Sequence, residues 1–226
     1  MTRRCVSLLF ILSVLPMVAA QDGKFSIKAA TTPAPKELAA PIQNLLGKTS
    51  IQLVDPAGKT IGEFWFRSEI PADATAEQIK NGLTYREVKQ SEVIGAVRFD
   101  QDWTDYRKQK VKAGVYTLRL GYQPADGDHQ GSSEFQEFLV AVAADKDKST
   151  DLMEFKQMTE TSAKSIGTGH PGVFMLFPNS PPSAKSEIVA RPKNHWVINT
   201  KGDITVGGKK VGAALGIGMT VVGNAD

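Results

Sequence analysis

The sequence predicts a mainly β protein, a β-sandwich of immunoglobulin-like or jelly-roll-like type with one or two short accessory helices. Two observations carry that expectation. Short runs rich in Val, Ile, Phe, Tyr and Thr recur along the chain, separated by Pro, Gly and Asn, and they do not alternate with helical patterns as βα units would. Within Val115–Tyr122, Tyr116, Leu118, Leu120 and Tyr122 share one face while Thr117 and Arg119 share the other, the alternation of a half-buried strand.

Taken in order, residues 1–20 read as a signal peptide. Arg3 and Arg4 precede the apolar run Val6–Val14, and Val18, Ala19 and Ala20 precede polar Gln21 and Asp22. That order predicts cleavage after Ala20 and export to the periplasm or the extracellular space. The apolar run is too short to span a bilayer as a helix, so no transmembrane segment is expected in the mature chain. Residues 21–48 read as a flexible Ala/Pro-rich linker, since Ala29–Pro41 (AATTPAPKELAAP) holds few bulky apolar side chains and three prolines. Residues 49–226 remain as the folded domain.

That domain opens with a hairpin, SIQLVD and TIGEFWFRSE flanking the Pro56–Gly58 turn. Thr75 and Gln78 have capping-box spacing and Gly82 supplies a stop, which predicts a short helix between them. Strands are expected at 92–99, 115–122 and 135–142. A second helix is expected over Asp151–Ser165, ending at Gly167. The remaining strands fall at 172–177, 187–190, 195–200, 204–206 and 213–222, and the glycines at 207 and 208 read as a hairpin turn.

Charge and cysteine content narrow the functional classes. The chain carries 27 Lys and Arg against 24 Asp and Glu, a formal charge of +3, and loss of Arg3 and Arg4 with the signal lowers that by two. A near-neutral chain gives no reason to expect nucleic acid or anionic lipid as partner. A cell-envelope protein or a glycan is the expected partner class instead. The single cysteine, Cys5, leaves with the signal, so no disulfide is expected despite the oxidising destination.

Three segments, Asp102–Gln109 (DWTDYRKQ), Gly114–Arg119 (GVYTLR) and Asp126–Gly131 (DGDHQG), together resemble a group of exported bacterial proteins for which no activity is known. What the resemblance implies is a β fold and an exported address; no catalytic residue carries over.

Candidate chemistry concentrates in the segment 123–134, where Asp126, Asp128, His129 and Glu134 lie close together among glycines. Spaced carboxylates suit a hard cation such as calcium, and histidine moves the preference toward zinc or copper. The same residues serve equally as a tight polar turn with aspartates bonded to backbone amides. His170 and His195 would complete a transition-metal site only if the fold brings them to His129. No Gly-x-Ser-x-Gly elbow, mature cysteine or phosphate-loop ending is present. For glycoside cleavage the first residues to consider are Glu134 and Glu137, whose separation the fold would set. Trp65, opposite Phe64 and Phe66 on its strand, and Trp103 are the candidate ligand-stacking rings. A binding or structural module is the leading reading. A metal-binding protein is the alternative, and a carbohydrate-active or other hydrolytic enzyme is third.

Overall fold

The computed structural model describes residues 24–124 and 133–225. In chain order the elements are β1 (Ser26–Ala30), α1 (Ala40–Gln43), β2 (Ser50–Val54), β3 (Thr60–Phe66), β4 (Glu69–Pro71), α2 (Ala76–Asn81) and β5 (Val93–Phe99). Next come β6 (Trp103–Thr104), β7 (Lys110–Val111), β8 (Gly114–Tyr122), β9 (Glu137–Ala143) and α3 (Phe155–Ile166). The chain finishes with β10 (Gly172–Phe177), β11 (Glu187–Arg191), β12 (His195–Val206) and β13 (Lys209–Val222). The protein is mainly β, as its residue pattern predicts.

One sheet runs β1-β2-β3-β5-β8-β9-β10-β13-β12-β11, antiparallel at every step, with β4 added in parallel to β12. It curls until its two ends meet: β1 touches β11, and the Phe25 and Trp196 rings lie 5.4 Å apart. The sandwich-like core is therefore enclosed by a single curled path. Tyr116, Leu118 and Leu120 point into it with Phe64, Phe99 and Phe174, all buried in one cluster. Gly207 and Gly208, at φ 58° and 77°, turn β12 into β13. Positive φ at both central positions is what a two-residue hairpin requires, and only glycine adopts it without steric cost.

Two layers lie outside the sheet. The first is made by residues read from sequence as linker, a reading that the structure corrects: β1 pairs with β2, and Leu38, Ile42 and Leu46 pack onto Trp65. Leu38, Ile42 and Leu46 recur every fourth residue, so a short coil around α1 presents all three to the sheet despite the proline-rich composition. The second outer layer is α3, which brings Met158 onto Val140 and Val173.

Helix α2 has the predicted cap. The Gln78 amide donates to Thr75 Oγ1 at 3.2 Å, and the Thr75 amide donates to Gln78 Oε1 at 2.8 Å. Helix α3 begins at Phe155, four residues later than its sequence pattern, and ends at left-handed Gly167. The delay has a cause in β8. Arg119 donates to the Ser149 and Asp151 carbonyl oxygens at 2.6 and 3.0 Å, and the Met153 amide donates to Ser91 Oγ at 2.9 Å, which holds 149–153 out of the helix. Thr117 and Arg119 are consequently 0 % exposed, whereas alternation had placed them toward solvent.

The chain between β4 and β5 is tied down by two tyrosines. Tyr85 donates from its hydroxyl to the Phe177 carbonyl at 2.8 Å and accepts from the Gly218 amide at 2.9 Å. The Tyr122 hydroxyl faces the carbonyl oxygens of Tyr85 and Val88. Burial raises both phenols, Tyr122 to about 12. Folded-state values above the unfolded one mean that this stabilisation is complete below about pH 10 and is lost as pH rises through about 12. Tyr85→Phe is expected to cost about 1–3 kcal/mol, because a buried amide and a buried carbonyl each lose a partner. It should also shrink the stability loss on alkaline titration; urea unfolding at pH 8 and pH 11 measures both.

Candidate functional site

The site forms where the sheet parts. Strands β10 and β13 pair only at Leu176–Met219 and Phe177–Gly218, then separate. Into the gap comes the tip of the small β6–β7 hairpin, which belongs to the DWTDYRKQ segment. Asp105 organises that tip. Its Oδ1 accepts from the amides of Arg107 at 2.9 Å and Gln109 at 2.7 Å, while its Oδ2 accepts from Gln109 Nε2 at 2.9 Å and the Val173 amide at 3.0 Å. The residue is 0 % exposed, and burial raises its carboxyl against the pull of those four donors. Tyr106 then continues the ladder that β10 and β13 abandon: its amide donates to the Val173 carbonyl at 2.9 Å, and its carbonyl accepts from the Ala225 amide at 2.8 Å.

Beside this tip runs a groove of about 450 Å³ on the outer face of the sheet. Phe138, Val140 and Val173 form its floor and Phe155 and Thr159 of α3 one wall. Tyr106, Arg107 and Lys108 form the wall opposite, and His170 and Pro171 stand at one end. Pro124 and Ser133 also border it. Gly121 keeps the floor open on the β8 side, since a Cβ there would lie 2.9 Å from a Val140 methyl. Among the described residues that line the groove, no carboxylate appears and the charged side chains are Arg107 and Lys108.

The residues singled out from sequence are scattered. Asp126, Asp128 and His129 lie outside the described residues. Glu134 is exposed, and Glu137 holds Arg86 at 2.9 Å. His170 reaches the groove rim and is exposed. His195 is 2 % exposed, its ring 5.6 Å from Tyr106 and 5.9 Å from Phe177, with Nε2 3.0 Å from the Asn224 carbonyl oxygen. A carbonyl can only accept, so Nε2 carries the proton and offers no lone pair to a metal. Among the described residues no three His, Cys, Asp or Glu side chains converge.

Both candidate stacking tryptophans are corrected by the fold. Trp65 is 0 % exposed beneath Leu38 and Ile42, and its Nε1 donates to the Thr32 carbonyl at 2.8 Å. Trp103 is 8 % exposed and stacks on Phe99 at 4.9 Å. Each ring is occupied by packing within the chain. The groove residues were missed because they come from at least six separate stretches; Arg107 and Lys108, adjacent at a tight turn, were the one local signal.

No helix of the described residues is long and apolar enough to cross a membrane. No protein-family model, curated protein or solved structure matches the chain.

Proposed function

We propose that this chain is an exported, extracytoplasmic binding module that holds the apolar part of a small amphipathic molecule in the groove between α3 and the β6–β7 hairpin. The observation that supports it is the groove itself, about 450 Å³ with an apolar floor and a few polar groups on one rim. Small-molecule sites commonly enclose roughly 300–1,000 Å³ with that distribution of surface. The arginine-rich start and the Val18-Ala19-Ala20 ending support export. Mass spectrometry of the secreted chain is expected to show Gln21 at its N-terminus; a retained Met1 would count against it.

The decisive test is a titration with decan-1-ol followed by amide NMR shifts. Saturable shifts are expected at Val140, Phe155 and Val173. Thr159→Trp, which fills the groove from α3 without touching the enclosed core, should weaken binding about tenfold or more, the worth of about 1.4 kcal/mol. Shifts that do not saturate, or equal affinity in Thr159→Trp, would reject the reading.

A further inference from the structure

Resting on that groove as a binding site, we infer that it selects an anionic headgroup on a single apolar chain, through Arg107 and Lys108 at the hairpin tip. Arg67, Arg86, Arg98 and Arg119 each hold a carboxylate, of Glu92, Glu137, Glu37 and Asp147 respectively. Arg107 and Lys108 hold none among the described residues, although the chain as a whole is close to balanced, 27 cations against 24 acids. Their hairpin neighbour Lys110 is neutralised by Asp102 at 2.6 Å. Arg107 and Lys108 are, among the described residues, the charged side chains that border the groove, and neither is neutralised by a described carboxylate.

Their presentation is fixed beforehand. The Arg107 amide is bound by Asp105, and Lys108 sits in left-handed backbone at φ 65° with its amide donating to the Asp105 carbonyl at 3.1 Å. A tip held from inside by a buried carboxylate loses little freedom when a ligand arrives, which favours affinity. The floor beneath is apolar at Phe138, Val140 and Val173. Guanidinium and ammonium groups above an apolar floor match a molecule with a carboxylate or phosphate at one end and hydrocarbon behind it. A groove bounded by walls on two sides fits one chain, and a flat bilayer surface would not reach its floor.

The test compares decanoate, decyl phosphate and decan-1-ol on the full chain by NMR titration, in the wild type and in Arg107→Gln/Lys108→Gln. The readout is the affinity of each anion divided by that of the alcohol. In the wild type this ratio is expected to be about ten or more. It should fall toward one in the double variant and with added salt, as screening shortens from about 10 Å at 0.1 M to about 3 Å at 1 M. A saturating decan-1-ol with a ratio near one in the wild type would overturn the anion selection and leave the groove reading standing. Failure of all three probes would overturn both. Binding to phosphatidylglycerol vesicles without binding of either free anion would assign the cations to a membrane surface and overturn the inference.

Discussion

Replacing Arg119 by methionine is expected to lower folding stability by about 3–5 kcal/mol, the cost of leaving one member of a buried ion pair alone. Arg119 and Asp147 are both 0 % exposed, joined by Nε–Oδ2 at 2.7 Å and a second guanidinium–Oδ1 bond at 2.8 Å. The remaining guanidinium hydrogens bind the carbonyl oxygens of Ser91, Ser149 and Asp151. Methionine keeps most of the volume and removes every guanidinium donor, so Asp147 is left with the Thr117 hydroxyl alone and three carbonyls lose their Arg119 partner together. Arg119→Met/Asp147→Leu should recover part of the loss, since it removes the uncompensated charge, but not the part belonging to the carbonyls. Urea unfolding of both variants measures this, and a cost below about 1 kcal/mol for Arg119→Met would mean that water reaches the cluster.

Arg119 also shows where sequence pattern stops. Alternation along Val115–Tyr122 places Tyr116, Leu118 and Leu120 in the core correctly. The same alternation assigns Arg119 to solvent because charge is read as exposure. Its burial depends on residues 144–153, whose backbone carbonyls serve as ligands, and carbonyls leave no trace in composition. The N-terminal region shows the converse. Averaged over 21–48 the chain looks like a tether, yet Leu38, Ile42 and Leu46 supply the cover that Trp65 needs. Caps and turns fare better, as Thr75–Gln78 and Gly207–Gly208 show, because each motif satisfies its own backbone locally.

The groove was the least legible feature, because its walls meet only through the divergence of β10 and β13. Strands β6 and β7 have two residues each, too few to show a period. What the sequence does display is DWTDYRKQ, and the fold explains it residue by residue. Asp102 accepts from the Ala113 amide and pairs with Lys110, Trp103 covers Phe99, and Asp105 binds the tip. Tyr106 fills the gap and Gln109 donates to the Pro171 carbonyl. The segment builds an arm, and the arm carries Arg107 and Lys108 to the edge of the groove.

Asp105→Asn, which tests that arm, is expected to cost about 2–3 kcal/mol and to reduce the preference for decanoate over decan-1-ol. The side chains have nearly the same shape, so packing is preserved. The carboxylate, however, accepts four N–H bonds, two on each oxygen. An amide has one accepting oxygen, so its NH2 must face two donors whichever way it is oriented, and hydrogen bonds to a charged acceptor are worth about 1.5–3 kcal/mol. Loss on the Oδ2 side frees the tip from Val173 and lets Tyr106 slip out of the gap. Loss on the Oδ1 side unfastens Arg107 and Gln109. Either way the cations keep their charge and lose their fixed position. The variant therefore separates charge from positioning. Arg107→Gln/Lys108→Gln should abolish the anion preference at unchanged stability, whereas Asp105→Asn should weaken both together. A destabilised Asp105→Asn that kept the full preference would show that the cations act from a loose tip, and that Asp105 serves only the fold.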